Sequence, residues 1–194
     1  MKKALFILMI FSSSVLAQKL ELGFRAEWNG LKHNVIGKDD EFIYNDHLPH
    51  SFQLLAGIYF GKNFVLQPRF GADVWLQHYA GFEYSLFLKY KFNRNFYTLF
   101  GIVHHSTISD WDFDKSYSGY THQKRLNMPA FGIGVQPYKG WSLEFFFLGG
   151  GNEEISYTAK FNEERNYIGT KPYGYLNWAV KLSVGYTWIF PFDD

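Results

Sequence analysis

Residues 176–190 read LNWAVKLSVGYTWIF, and the alternation in this stretch decides the fold. Leu176, Trp178, Val180, Leu182, Val184, Tyr186, Trp188 and Phe190 fall on one face, with Asn177, Ala179, Lys181, Ser183, Gly185 and Thr187 on the other. Successive side chains of a strand point to opposite faces, so this period of two predicts a long strand with one apolar and one small or polar face.

The same period recurs upstream in seven further segments. In 20–28, Leu20, Leu22, Phe24, Ala26 and Trp28 alternate with Glu21, Gly23, Arg25 and Glu27. The segments 51–60, 64–75 and 79–90 repeat the pattern, and 96–106, 128–138 and 141–149 complete the set. Their connections differ in length by position. Gly61-Lys62-Asn63, the stretch 91–95 and Lys139-Gly140 are short, whereas 29–50, 107–127 and 150–174 are long. Only 76–78 is brief among the second group, so the long connections gather at one end of a meander. Short turns at one end and long loops at the other predict an all-β fold, an eight-stranded antiparallel up-and-down transmembrane β-barrel.

Composition agrees and excludes other classes. The chain has 194 residues, of which 47% are hydrophobic and 19% charged, too apolar for a disordered chain. Nineteen basic residues against eighteen acidic ones leave no electrostatic footprint for nucleic acid. The absence of cysteine excludes a disulfide framework, thiol catalysis and Cys-ligated zinc. Residues 1–17, MKKALFILMIFSSSVLA, carry Lys2 and Lys3 ahead of an apolar run and end in a small-residue site, the pattern of a secretory signal peptide. Residues 18–194 are then the barrel domain.

Face chemistry separates a membrane barrel from a soluble one. A soluble barrel keeps its apolar face inside and its polar face in water. Here one face is Leu, Val, Ile and Phe, while the other mixes Gly, Ser, Ala and Gln with Glu21, Arg25, Glu27, Arg69, Asp73, Glu83, Lys89, Glu144 and Lys181. An eight-stranded barrel has a narrow interior, which small residues and paired charges fill, so the apolar face is expected to meet lipid. Within that interior, Arg25 is expected to pair with Glu21 or Glu27, Arg69 with Asp73, and Lys89 or Lys181 with Glu83 or Glu144. Phe60, Phe64, Tyr90, Phe92, Tyr138, Trp141 and Trp188 lie toward the short turns, and Trp28, Trp75, Tyr79, Tyr175 and Trp178 toward the long loops, as two interfacial girdles would. In this architecture, over 18–190, the chain resembles the small eight-stranded outer-membrane barrels of the OmpA transmembrane-domain and OmpX type. The resemblance implies the outer membrane of a Gram-negative-type bacterium, a monomer, contact with outer-membrane lipid and lipopolysaccharide, and a structural or surface-interaction role.

Few residues suggest chemistry beyond this. All seven histidines fall in the long-loop half, and His50, His78, His104 and His105 end successive segments, which makes them the candidates for a metal site. They lack tight ligand spacing. The run Asp110-Trp111-Asp112-Phe113-Asp114 opens like a calcium loop, but Lys115 stands at its glycine position and Thr121 at its acidic twelfth. His104 and Ser106 are two apart and share a face. This H-x-S pair resembles the outer-membrane lipid A 3-O-deacylases, which implies Ser106 as nucleophile and His104 as general base in an acyl-ester hydrolase. That family continues with Asn, where Thr107 stands here, and carries Glu about a dozen residues on, at Ser118. Whether His104 and Ser106 point out or in depends on the turn after 79–90: three or five residues put Phe96, Phe100, Ile102, His104 and Ser106 outward, whereas two put Tyr97, Leu99, Val103 and His105 there. The principal expectation is a surface-interaction barrel without cofactor, with the loops 29–50, 107–127 and 150–174 available to an extracellular ligand, and the hydrolase is the alternative.

Overall fold

The computed structural model of the protein describes residues 17–35, 41–44, 49–73, 81–107, 125–161 and 167–191. The signal-peptide segment, Trp75, His78, Tyr79 and the calcium-like run at 110–114 lie outside the described residues, as do the side chains of 31–35 and 152–174. Among the described residues nine strands form: β1 (Ala17–Val35), β2 (Glu41–Tyr44), β3 (Ser51–Phe60), β4 (Phe64–Asp73), β5 (Gly81–Lys91), β6 (Phe96–Thr107), β7 (Arg125–Tyr138), β8 (Trp141–Phe161) and β9 (Tyr167–Pro191). Eight of them make the wall. Each pairs antiparallel with its sequence neighbour, and β1 pairs with β9 from Lys19↔Pro191 to Val35↔Gly174, closing an up-and-down barrel.

The hairpin turns fix which face of each strand looks in. Gly61 and Gly140 adopt φ of 63° and 82°, a left-handed backbone that costs glycine nothing, so the two tight connections form without strain. After β5, the last pair is Lys91↔Tyr97, with five residues between. The Asn93 side chain shapes that turn, its Oδ1 accepting from the backbone N–H groups of Asn95 at 2.8 Å and Phe96 at 2.9 Å. An odd count settles the open parity: Phe96, Phe100, Ile102, His104 and Ser106 point outward, and Tyr97, Leu99, Val103 and His105 point inward.

Below the level of His104 and Asn127 the outward face is predominantly apolar. Leu54, Phe70, Leu86, Phe100, Ile133 and Phe145 are all exposed, Leu54 to 67%. Aromatic rings meet near the short-turn end, where Phe64 lies 5.0 Å from Tyr90, Tyr90 5.1 Å from Phe92 and Trp141 5.3 Å from Tyr186. Monomeric proteins in water rarely expose contiguous apolar patches beyond a few hundred Å². This wall exposes one all the way round.

Three expectations need correction. Strands do not stop where alternation stops: β1 continues to Val35, β8 to Phe161, and β9 begins at Tyr167, so much of 29–50 and 150–174 is strand rather than loop. The short β2 adds to β1 through Gly30↔Tyr44 to His33↔Glu41. Backbone pairing needs no apolar face, so strands extend past the period that reveals them in the sequence. Leu176, placed on the apolar face by its alternation, is instead buried inside. Irregular register between Lys32 and His33 on β1, and between Gly149 and Glu153 on β8, accompanies that reversal, as an extra residue in a strand requires.

The third correction concerns the interior, which is not polar throughout. Against the charges of β1, β4 and β9 stands an apolar cluster that includes Phe87, Leu99, Val103, Leu126, Met128, Phe146 and Leu148. Inward glycines make room for the large members. A Cβ at Gly134 would overlap the Tyr97 ring, and one at Gly132 would press on Phe146. Small residues on β7 thus let rings from β6 and β8 fill a barrel only eight strands around.

Candidate functional site

Two places gather polar side chains, one inside the barrel and one on its outer wall. Inside, Glu21, Arg25, Glu27, Arg69, Asp73, Glu83, Lys89, Glu144 and Lys181 are all buried. Nearer the short turns, Glu144 forms ion pairs with Arg25 at 2.7 Å and Arg69 at 2.9 Å and accepts from the Tyr97 hydroxyl at 2.7 Å. Arg25 also donates to Ser142 at 2.9 Å, while Arg69 donates to Gln67 Oε1 and lies 4.6 Å over the Phe87 ring. Gln67 carries the chain of contacts on to Glu21, which also accepts from Tyr59 at 2.9 Å and Lys89 at 3.2 Å.

Toward the long connections, Lys181 sits between Glu27 at 3.2 Å and Glu83 at 2.5 Å. Gln53 bridges the same two carboxylates, at 3.1 and 2.8 Å, and His105 Nδ1 lies 3.3 Å from Glu83. Asp73 accepts from the Asn29 amide. The backbone N–H of Asn29 donates to His50 Nδ1 at 3.1 Å. Only the Lys181–Glu83 pair follows the expected partners. Arg25 and Arg69 share Glu144, Lys89 takes Glu21, and Asp73 takes an amide rather than Arg69. The strand faces were legible, but the pairs form across the lumen, which is set by strand stagger around the barrel and not by spacing along one strand.

The candidate metal ligands do not converge. His50 and His105 are buried inside, His104 is on the outer face and His78 lies outside the described residues. Among the described residues, no group of three or more His, Cys, Asp or Glu side chains is arranged to hold a metal ion.

On the outer wall, His104 and Ser106 of β6 stand opposite Asn127 and Arg125 of β7. His104 Nδ1 is 2.6 Å from Asn127 Oδ1, a contact in which the ring donates and the amide oxygen accepts. The His104 ring also stacks on Tyr84, centroids 4.3 Å apart. Asn127 and Arg125 were not singled out from sequence, since only the β6–β7 register brings them beside the H-x-S pair. No hydrogen bond joins Ser106 to His104 among the described residues.

The strand pairing and these two groupings define a closed eight-stranded up-and-down barrel of inverted polarity, with charges inside and hydrocarbon outside. No protein-family model matches the chain, and a search of curated proteins finds no match. Among solved structures, the N-terminal β-barrel domain of Pseudomonas aeruginosa OprF is similar, with a TM-score of 0.44 and 14% identity over 89% of this chain and 98% of that one. Ail, the attachment invasion locus protein of Yersinia pestis, solved in complex with the heparin analogue sucrose octasulfate, is similar with a TM-score of 0.41 and 12% identity over 89% and 99%. The fold assignment rests on this chain's own strand pairing, and no residue role is carried over from either.

Glu144 is the carboxylate whose loss leaves the most uncompensated charge, because two guanidiniums depend on it. Glu144→Gln is expected to destabilise the folded barrel by about 3–5 kcal/mol, the cost of breaking a buried pair from one side. Urea titration, following the folded and unfolded bands on unboiled gels, measures it. A change below about 1 kcal/mol would mean that the two arginines find other partners.

Proposed function

We propose that the protein is a bacterial outer-membrane β-barrel, monomeric and without cofactor, exported on a signal peptide comprising residues 1–17, with a structural or surface-interaction role at its long-connection end. The observation that carries this reading is the inversion of burial. Glu144 is 1% exposed while Phe100, on the outer face, is 53% exposed. Hydrocarbon is the solvent in which that arrangement is stable, and a closed sheet is the β-architecture that satisfies its backbone there. The interior is packed with side chains, which argues against a general aqueous pore.

The surface role is supported by the strand extensions. Beyond Asn29 and Gly150 the described residues of the wall belong to the sheet β2–β1–β9–β8. Glu153–Phe161 of β8 pairs with β9 alone among the described residues, a stretch of about 30 Å at the usual rise. One side of that segment presents backbone donors and acceptors, the means by which a partner strand is added to a sheet. Together with 107–127, this is the region we assign to recognition of an extracellular ligand.

A second reading, hydrolysis of an acyl ester of lipid A, is favoured by one observation: His104 and Ser106 face outward, and Asn127 holds the His104 ring. Ser106 Oγ would attack the acyl carbonyl while His104 takes its proton. The alcohol would leave with that proton, and water would then release the acyl group from Ser106. Their Cα atoms lie about 6.6 Å apart, from a strand rise of about 3.3 Å per residue, so substrate binding would have to bring the two groups into contact.

Two experiments test these readings. Expressed in a Gram-negative host, the protein is expected in the outer-membrane fraction with heat-modifiable migration, and an epitope inserted between Phe161 and Tyr167 is expected to bind antibody on intact cells while one at Lys62 does not. Recovery in the soluble fraction would contradict the barrel reading. For the second reading, mass spectrometry of lipid A from expressing cells is expected to reveal the loss of one acyl chain that Ser106→Ala abolishes. An unchanged lipid A, or a loss that persists in Ser106→Ala, rejects hydrolysis by this pair.

A further inference from the structure

On most of the barrel the described outward residues stay apolar or aromatic up to the level of Trp28, Phe52, Ala72, Phe82 and Trp178. The β6–β7 pair is different. Its outward rungs run Phe100↔Phe131 and Ile102↔Pro129, then change to His104↔Asn127 and Ser106↔Arg125. Directly opposed side chains in an antiparallel pair lie about 5 Å apart, so these four make one polar block two strands wide and two rungs tall. On the β5 side it is bounded by Tyr84 and Phe82, which oppose His104 and Ser106. On the β8 side the outward positions are Gly149 and Gly151, and nothing lies within 4 Å of where a Gly151 side chain would begin. Among the described residues the block is therefore a notch with an aromatic wall on one side and glycine backbone on the other.

The chemistry of the notch is that of a donor set with one positive charge. Because Asn127 Oδ1 is taken by His104, the Asn127 amide keeps its N–H donors, and the Ser106 hydroxyl and the Arg125 guanidinium add theirs. Among the described residues no acidic side chain pairs with Arg125, which is exposed. Donors around a guanidinium, with no carboxylate beside it among the described residues, match a phosphate, which guanidinium binds in a bidentate manner. The level matches too. The notch begins where the apolar wall of Ile102 and Pro129 ends, which is where lipid phosphates lie when acyl chains run along such a wall.

We propose that this notch binds the phosphate of a membrane lipid, with Arg125 as its anion contact and the lipid's acyl chains lying along Ile102, Pro129, Phe100 and Phe131. The proposal rests on the reading of the wall as lipid-facing, and it is independent of whether Ser106 and His104 hydrolyse anything. The site retains its ligand by charge from Arg125 and by apolar contact below, so a lipid phosphate is held where a free anion is not.

The test uses the full processed chain, folded in non-ionic detergent and checked by unboiled-gel mobility, with native mass spectrometry counting retained lipid. The probes are bis-phosphorylated lipid A, the same glycolipid without its phosphates, and phosphatidylglycerol. Wild type is expected to retain one phosphorylated lipid, with lipid A and phosphatidylglycerol distinguishing a glycolipid from a glycerophospholipid source. Arg125→Gln is expected to lower retention at least tenfold and Arg125→Lys to fall between, with both variants folding normally because Arg125 lies outside the barrel interior. Equal retention of the dephosphorylated glycolipid, unchanged retention in Arg125→Gln, or displacement by inorganic phosphate at equal concentration would overturn the proposal. A wild-type chain that fails to fold in detergent or to enter bilayers would instead overturn the membrane reading itself.

Discussion

The pairing of β1 with β9 is the contact on which the rest of the molecule depends. It runs from Lys19↔Pro191 upward and leaves the wall without an edge, so every strand of the wall has a partner on both sides. That closure satisfies the backbone with no help from solvent, and only a backbone so satisfied tolerates an apolar surroundings. Closure also fixes the diameter. Eight strands enclose a space that side chains fill, so inward positions face one another at close quarters and cannot all be large or all carry one sign of charge.

The interior solves this in two ways at once. On one side, charges form two groups across the lumen: Glu144 holds two arginines that Gln67 links to Glu21 and Lys89, and Gln53 bridges the two carboxylates that share Lys181. On the other, Phe146, Tyr97 and Phe87 pack into space left by Gly132, Gly134 and Gly101. The two halves meet where Arg69 lies over Phe87 and Phe146 and Lys89 over Tyr97, so the aromatic cluster also screens cations from the apolar side. Tyr97 belongs to both, with its ring in the glycine-lined space and its hydroxyl on Glu144.

How much of this was legible follows from what a period of two contains. It contains face, so Lys181 and Glu144 could be assigned to the interior from their own strands. It does not contain stagger, and the partners of Arg25, Arg69 and Asp73 are set by stagger. It also fails where the sequence does not alternate, which is why the upper parts of β1, β8 and β9 read as loops, and where a bulge reverses parity, as it does at Leu176. The polar notch on the outer wall was half visible. His104 and Ser106 stood out as a pair, but their outward direction hung on the five-residue turn shaped by Asn93, and Asn127 and Arg125 join them only through register between β6 and β7.

The central claim is that the outward face meets hydrocarbon while the inward face is sealed. The chain lacks cysteine, so single cysteines introduced along β5 report face by face. Replacing Phe82, Tyr84, Leu86 or Leu88 by cysteine, attaching a bimane and reconstituting into bilayers containing brominated lipid should give strong quenching at all four sites, whereas a cysteine at Ser85 should stay unreactive in the folded barrel. Absence of quenching at the outward sites, or labelling of the Ser85 position at the same rate, would contradict the account.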